Sequence, residues 1–188
     1  AHGLGGEQLS GLFGAMDPSA YQDQLGHQEV VDAFNAMGFD QALNMGGDNL
    51  AGMFGAMDAG DIRGFDDSQM GQAYDQMKGG DFGYMDAESA AAMMDSFGFD
   101  HALAGGGEQI AGIMGAMDAS DLGRFDSGQM TEAFDKMEGG HFGFMDADSA
   151  AAMMESFGFD HALAGGGEQI AGIMGAMDGA ELGRFDSG

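Results

Sequence analysis

Cysteine and tryptophan are absent from this 188-residue chain, proline occurs once, and lysine and arginine together number five. Each scarcity narrows what the protein can do. Without cysteine there is no disulfide framework and no thiol chemistry, and the redox compartment is left open. With so few cations the chain has no basic patch to hold phosphates, which excludes nucleic acid and anionic lipid as partners. No apolar run approaches the roughly 20 residues that a membrane helix needs, so membrane insertion is not expected. No basic, then apolar, leader follows Ala1-His2, as would also be true of a mature secreted chain.

What is abundant is glycine (37 residues), methionine (19), phenylalanine (15) and acid: 32 Asp and Glu give a formal charge of -27. The hydrophobic fraction of 44% is enough to pack, which argues against simple disorder. So acidic a surface attracts divalent cations or basic partners. It stays soluble in salty water, where a Debye length of about 8 Å or less screens its self-repulsion. A marine, halophilic or extracellular setting is expected.

The chain is internally repetitive. Residues 91–128 laid over 151–188 differ only at Asp95/Glu155, Ala119/Gly179, Ser120/Ala180 and Asp121/Glu181, a period of 60 residues. Residues 31–90 follow the template more loosely, and Gly14-Ala15-Met16-Asp17 marks an earlier copy. The super-repeats are therefore read as 1–38 (irregular), 39–98, 99–158 and 159–188 (truncated), one continuous array and a window onto a longer protein.

Each period divides into three modules of about 20 residues, taken as 99–117, 118–137 and 138–158. A short segment carries two apolar residues three or four apart, such as Phe99 and Leu103 or Leu122 and Phe125. A longer segment then carries apolar residues at helical spacing, such as Met130, Phe134 and Met137. Asp126 before Gln129, Asp118 before Asp121 and Asp17 before Pro18 read as helix N-caps, and Gly139-Gly140 and Gly158 as stops. The expected fold is all-α: a solenoid of about nine modules, each a short helical turn plus a helix of roughly three turns. The rival is an α/β leucine-rich-repeat-like solenoid with a strand in the short segment, suggested by the alternation in Phe142-Gly143-Phe144.

A module cannot stand alone. Ordering about 20 residues costs about 30 kcal/mol, which requires on the order of 1200 Å² of apolar burial to offset. The flank of each module is therefore expected to be covered by the adjoining one. Gly112 and Gly115, inside a helix predicted over 108–117, imply close backbone approach to a neighbour, since interior helix glycine costs about 1 kcal/mol relative to alanine.

Among chemistry-bearing residues, Asp118, Asp121 and Asp126, with Asp58, Asp61 and Asp66 one period earlier, form the best oxygen-ligand cluster, and calcium is the cation it would take. The calcium-loop pattern of an EF-hand is not met, because the fifth position from Asp118 is Leu122 and the twelfth is Gln129. Capping of exposed helices is the competing account. His101, His161, His141 and His27 are too scattered for zinc and read as surface or cap residues. The methionine stripe reads as core and not as a soft-metal site, and Gly105-Gly106-Gly107 as a loop before a helix, lacking the lysine of a phosphate cradle. No catalytic constellation stands out, so the chain is not expected to be an enzyme. Arg63, Lys78, Arg124, Lys136 and Arg184 all fall in or just after the second module, a stripe suited to lateral contact.

These features lead to the expectation of an extracellular structural repeat protein, self-associating or packed on neighbouring subunits, that forms or decorates a filament, sheath or other large assembly and is stabilised by calcium. The alternative is an acidic binding subunit docking on a basic partner in a multiprotein complex. The third is an acidic surface for metal ions or mineral.

Overall fold

The computed structural model describes residues 5–185, and within them it is all-helical with no strand. The chain divides into two compact units, Ala1–Gly98 and Phe99–Gly188. In the first lie α1 (Gly6–Phe13), α2 (Ser19–Gln24), α3 (His27–Met37), α4 (Phe39–Leu43), α5 (Gly47–Gly55), α6 (Ala59–Ile62), α7 (Asp67–Gln76), the 3₁₀ helix η1 (Gly79–Tyr84) and α8 (Ala87–Phe97). In the second lie α9 (Phe99–Ala104), α10 (Gly107–Ala116), α11 (Ala119–Leu122), α12 (Ser127–Lys136), the 3₁₀ helix η2 (Gly139–Phe144), α13 (Ala147–Phe157), α14 (Phe159–Gly165), α15 (Gly167–Ala176) and α16 (Gly179–Phe185).

The short-then-long grammar of the modules is realised as short helix, then long helix. Two glycines per period punctuate it, because only glycine holds a left-handed φ without strain. Gly38, Gly98 and Gly158 (φ 81°, 85° and 87°) end the long helices, and Gly46, Gly106 and Gly166 (φ 98°, 103° and 106°) precede the next. The strand alternative for the short segment does not hold: Phe142-Gly143-Phe144 closes η2, with Phe142 fully buried and Phe144 exposed by 38%. In a 3₁₀ turn, residues two apart point in different directions, which from sequence alone looks like strand alternation. Gly139-Gly140 also plays a different part from the one expected. Helix α12 ends at Lys136 with an extended Met137 behind it, and the two glycines open η2.

The core is built of methionine and aromatics. Met53, Met70, Met93, Met130, Met153 and Met154 are all buried to 1% exposure or less, which bears out the reading of the stripe as packing. Aromatic triads recur one period apart. Tyr74 lies 5.5 Å from Phe82 and 4.8 Å from Phe97 between ring centroids, and Phe134 stands 5.5 Å from Phe142 and 4.8 Å from Phe157.

Modules meet at distances of both one and two in the chain. Neighbours pack, as α12 does on α13, but α10 also packs on η2, two modules on, and α5 on η1 in the same way. Glycine makes the second contact possible: a β-carbon at Gly115 would overlap the carbonyl oxygen of Phe144, and one at Gly55 that of Tyr84. The close approach expected for the glycines of this helix is thus present at Gly115. Coverage only by the adjoining module is not what is found, because the bare glycine flank of α5 and that of α10 accept the backbone of the 3₁₀ segment from the module after next.

A buried serine pins the same contact. Ser149 Oγ donates to the carbonyl of Met117 at 3.1 Å, and Ser89 Oγ to that of Met57 at 3.3 Å. Ser149→Ala strips this bond from a buried carbonyl and should destabilise the second unit by about 1–2 kcal/mol in urea melts. An unchanged midpoint would show that the hydroxyl adds nothing.

Candidate functional site

The six aspartates singled out in sequence all stand at helix starts. Asp58 Oδ1 accepts the Asp61 amide at 3.0 Å, Asp66 that of Gln69 at 2.8 Å, Asp118 that of Asp121 at 2.9 Å, and Asp126 that of Gln129 at 2.9 Å. Gln69 and Gln129 return the bond to the amides of Asp66 and Asp126, completing reciprocal boxes. Asp17 differs: α2 begins at Ser19 with Pro18 in the N-cap position, and Asp17 Oδ1, one residue earlier, accepts the Ser19 amide at 3.1 Å and the Ser19 hydroxyl at 2.7 Å. Capping therefore uses one oxygen of each of Asp58, Asp66, Asp118 and Asp126, whose side chains remain exposed.

The capping bonds hold the carboxyls in the charged form. For Asp118 the Ser120 hydroxyl at 2.7 Å, then the Asp121 amide, pull its pKa below the usual carboxylate value, and for Asp58 the Asp61 amide does so first. A depressed carboxyl favours the folded state above its ordinary pKa, and that contribution is lost as pH falls through the lowered value.

The fold adds a residue that the sequence reading left out of the cluster. His27, which begins α3, places Nε2 2.5 Å from Asp61 Oδ2 and 3.7 Å from Asp58 Oδ2. Among the described residues this is the one group of three His, Asp or Glu whose ligand atoms converge, all within 4.8 Å of one another. Asp118, Asp121 and Asp126 are not brought into such a group, and neither is Asp66. No signal in the sequence could have found His27. It lies 31 and 34 residues from its two partners and in the irregular first copy, so the repeat pattern gives it no counterpart.

Chemically the trio is one imidazole nitrogen and two carboxylates, His27 and Asp58 exposed and Asp61 half-buried. That set suits zinc-like ions by donor type, yet it is one ligand short of a closed tetrahedral site. Calcium prefers six to eight oxygens and has no use for the nitrogen. What the trio does on its own is pair charge: the Asp61 hydrogen bond, foremost, raises the His27 pKa above its ordinary value. A raised histidine stabilises the fold fully below its unfolded pKa, and the contribution fades as pH climbs through the folded one. His27→Gln should thus melt below the parent at about pH 5.5 and level with it by about pH 9. A deficit that is the same at both pH values would leave the ion pair without a role.

His161 and His141 serve the fold. His161 Nε2 pairs with Asp135 Oδ1 at 2.9 Å while its ring edge meets Phe134 and Phe157, and His141 Nδ1 accepts the Glu138 amide at 3.0 Å to start η2. Of the cation stripe, Arg184 pairs with Glu181 at 2.9 Å and Glu155 at 3.4 Å. No described helix is long and apolar enough to cross a membrane. Set against protein-family profiles, curated proteins and solved structures, the chain matches none.

Proposed function

We propose that this chain is a structural repeat protein, its 60-residue super-repeats stacking in line as a solenoid to form or decorate an extracellular filament, sheath or comparable assembly, without catalytic activity. One observation carries the reading: the glycine flank of the long helix is filled by the 3₁₀ segment of a later module, at α5 by Tyr84 and again at α10 by Phe144, equivalent positions one period apart. A contact that recurs with the sequence period can be extended by adding periods, which is what a linear array requires. The high negative charge keeps lateral faces apart unless cations or a basic partner intervene.

Calcium is the counter-ion this reading assigns, taken up along the exposed oxygens of Asp58, Asp66, Asp118 and Asp126, with Asp61 and Asp121 beside them. Sedimentation over a concentration series, with negative-stain imaging in millimolar calcium and again after chelation, tests both parts. Fibres or growing particles support the assembly. A monodisperse monomer that co-purifies with one basic protein supports the acidic binding subunit in its place. A melting temperature indifferent to calcium removes the ion.

A further inference from the structure

Helix α15 has the sequence Gly-Glu-Gln-Ile-Ala-Gly-Ile-Met-Gly-Ala, identical to α10. The two helices differ in what covers them. In α10, β-carbons built at Gly107 and Gly115 would run into the carbonyls of Lys136 and Phe144, and in α5 those at Gly47 and Gly55 would run into the carbonyls of Gln76 and Tyr84. In α15 the equivalent Gly167 and Gly175 have nothing within 4 Å.

The side chains around them agree. Ile110, Ala111 and Met114 of α10 are all 0% exposed, as are Leu50, Ala51 and Phe54 of α5. On α15, Ala171 is exposed, Ile170 is partly so, and Met174 is 36% exposed. Gly167, Ala171, Met174 and Gly175 stand at i, i+4, i+7 and i+8, so they form one continuous strip along the helix. The opposite flank of α15 is occupied in the ordinary way: Gly172 lies against Gly139 and Phe142 of η2.

The occupant that fits this strip is written twice in the chain. The segments covering α5 and α10 run from Gln76 to Met85 and from Lys136 to Met145, their last nine residues both of the form Met-X-Gly-Gly-X-Phe-Gly-aromatic-Met. We infer that the open flank of α15 is a docking site for one further module of this kind, seated through its 3₁₀ segment as η2 is seated on α10. The strip has no side chain at Gly167 and Gly175 because the incoming backbone needs that space. The partner is thus recognised by backbone fit and by burial of apolar surface, without charge attraction. This rests on the stacking proposed above and deepens it by naming the growing face and what it takes.

The test extends the full chain after Gly188 with the sequence of residues 129–158, so that Asp186-Ser187-Gly188 continues as Asp126-Ser127-Gly128 does. Tethering supplies the module at high effective concentration, so a weak contact still forms. Hydrogen exchange at the α15 amides should slow at least about tenfold relative to the unextended chain. Gly175→Leu in the extended chain should return exchange to the unextended rate, while Gly175→Leu in the unextended chain should leave its fold unchanged, since no atom lies within 4 Å of the β-carbon position there. Equal exchange with and without the extension, or protection that survives Gly175→Leu, overturns the inference. So does a dimer of the unextended chain that Gly175→Leu abolishes, because a second copy would then be the occupant. An extended chain that protects α15 yet never forms fibres keeps this contact and removes the filament.

Discussion

Gly115→Ala should lower the melting temperature of the second unit by more than about 10 °C, because the added methyl forces apart two backbones that now touch. The β-carbon would overlap the Phe144 carbonyl and come within 3.1 Å of the Met145 Cα, and neither is the free end of a flexible side chain. Over-packing of this kind costs about 1–3 kcal/mol even when side chains can yield, and a backbone carbonyl yields less. The same substitution at Gly175, identical in sequence context, should do the opposite. With open space around it, alanine only improves helix propensity, by about 1 kcal/mol at most. The pair of variants separates steric contact from propensity in one experiment. Equal effects at the two positions would mean that α10 does not sit on η2 as described.

That sign reversal could not have been read from the sequence, in which Gly115 and Gly175 are indistinguishable. The sequence showed that glycine inside this helix must have a compensating neighbour. The partner's identity depends on a meeting of Gly115 with Phe144, 29 residues away, and no local pattern encodes it. Local features were legible because they obey local rules. Asp66 and Asp126 cap, with Gln69 and Gln129 three residues on, because the cap and its return bond lie within one turn. Gly158 stops a helix through its own φ. Met130, Phe134 and Met137 fall on the buried side of α12 and just after it because the helical period places them there.

The segment where a strand stayed open as the rival to helix was the one whose period is neither 3.6 nor 2. Phe142 and Phe144 flank a glycine in a three-residue turn, so alternation suggested a strand where η2 forms. The candidate cation site followed the same division. Its aspartates were visible as caps, but His27 joins Asp58 and Asp61 only because the fold brings the first residue of α3 to the start of α6. Sequence fixes which atoms are available at a helix start, and tertiary contact decides which of them become neighbours.

The larger single loss should come from Phe134→Ala. Phe134 is fully buried and is the hub of its unit: Phe142 stands 5.5 Å away, Phe157 4.8 Å and the His161 ring 5.8 Å between centroids. Truncating a buried phenylalanine costs about 3–5 kcal/mol through lost transfer energy and the cavity left behind. Tilted ring pairs of this type are worth about 0.5–1.5 kcal/mol more. Two of the lost contacts tie α12 to η2 and to α13, so the cavity opens where modules join and not inside one of them. The module boundary should loosen first. Hydrogen exchange should accelerate at the η2 and α13 amides before those of α10, and the urea midpoint of the second unit should fall accordingly. Phe144→Ala is the control, because its ring is 38% exposed and its removal should cost below about 1 kcal/mol. If Phe134→Ala were as mild as Phe144→Ala, the aromatic triad would not be what joins these modules, and stacking would have to rest on the glycine contact alone.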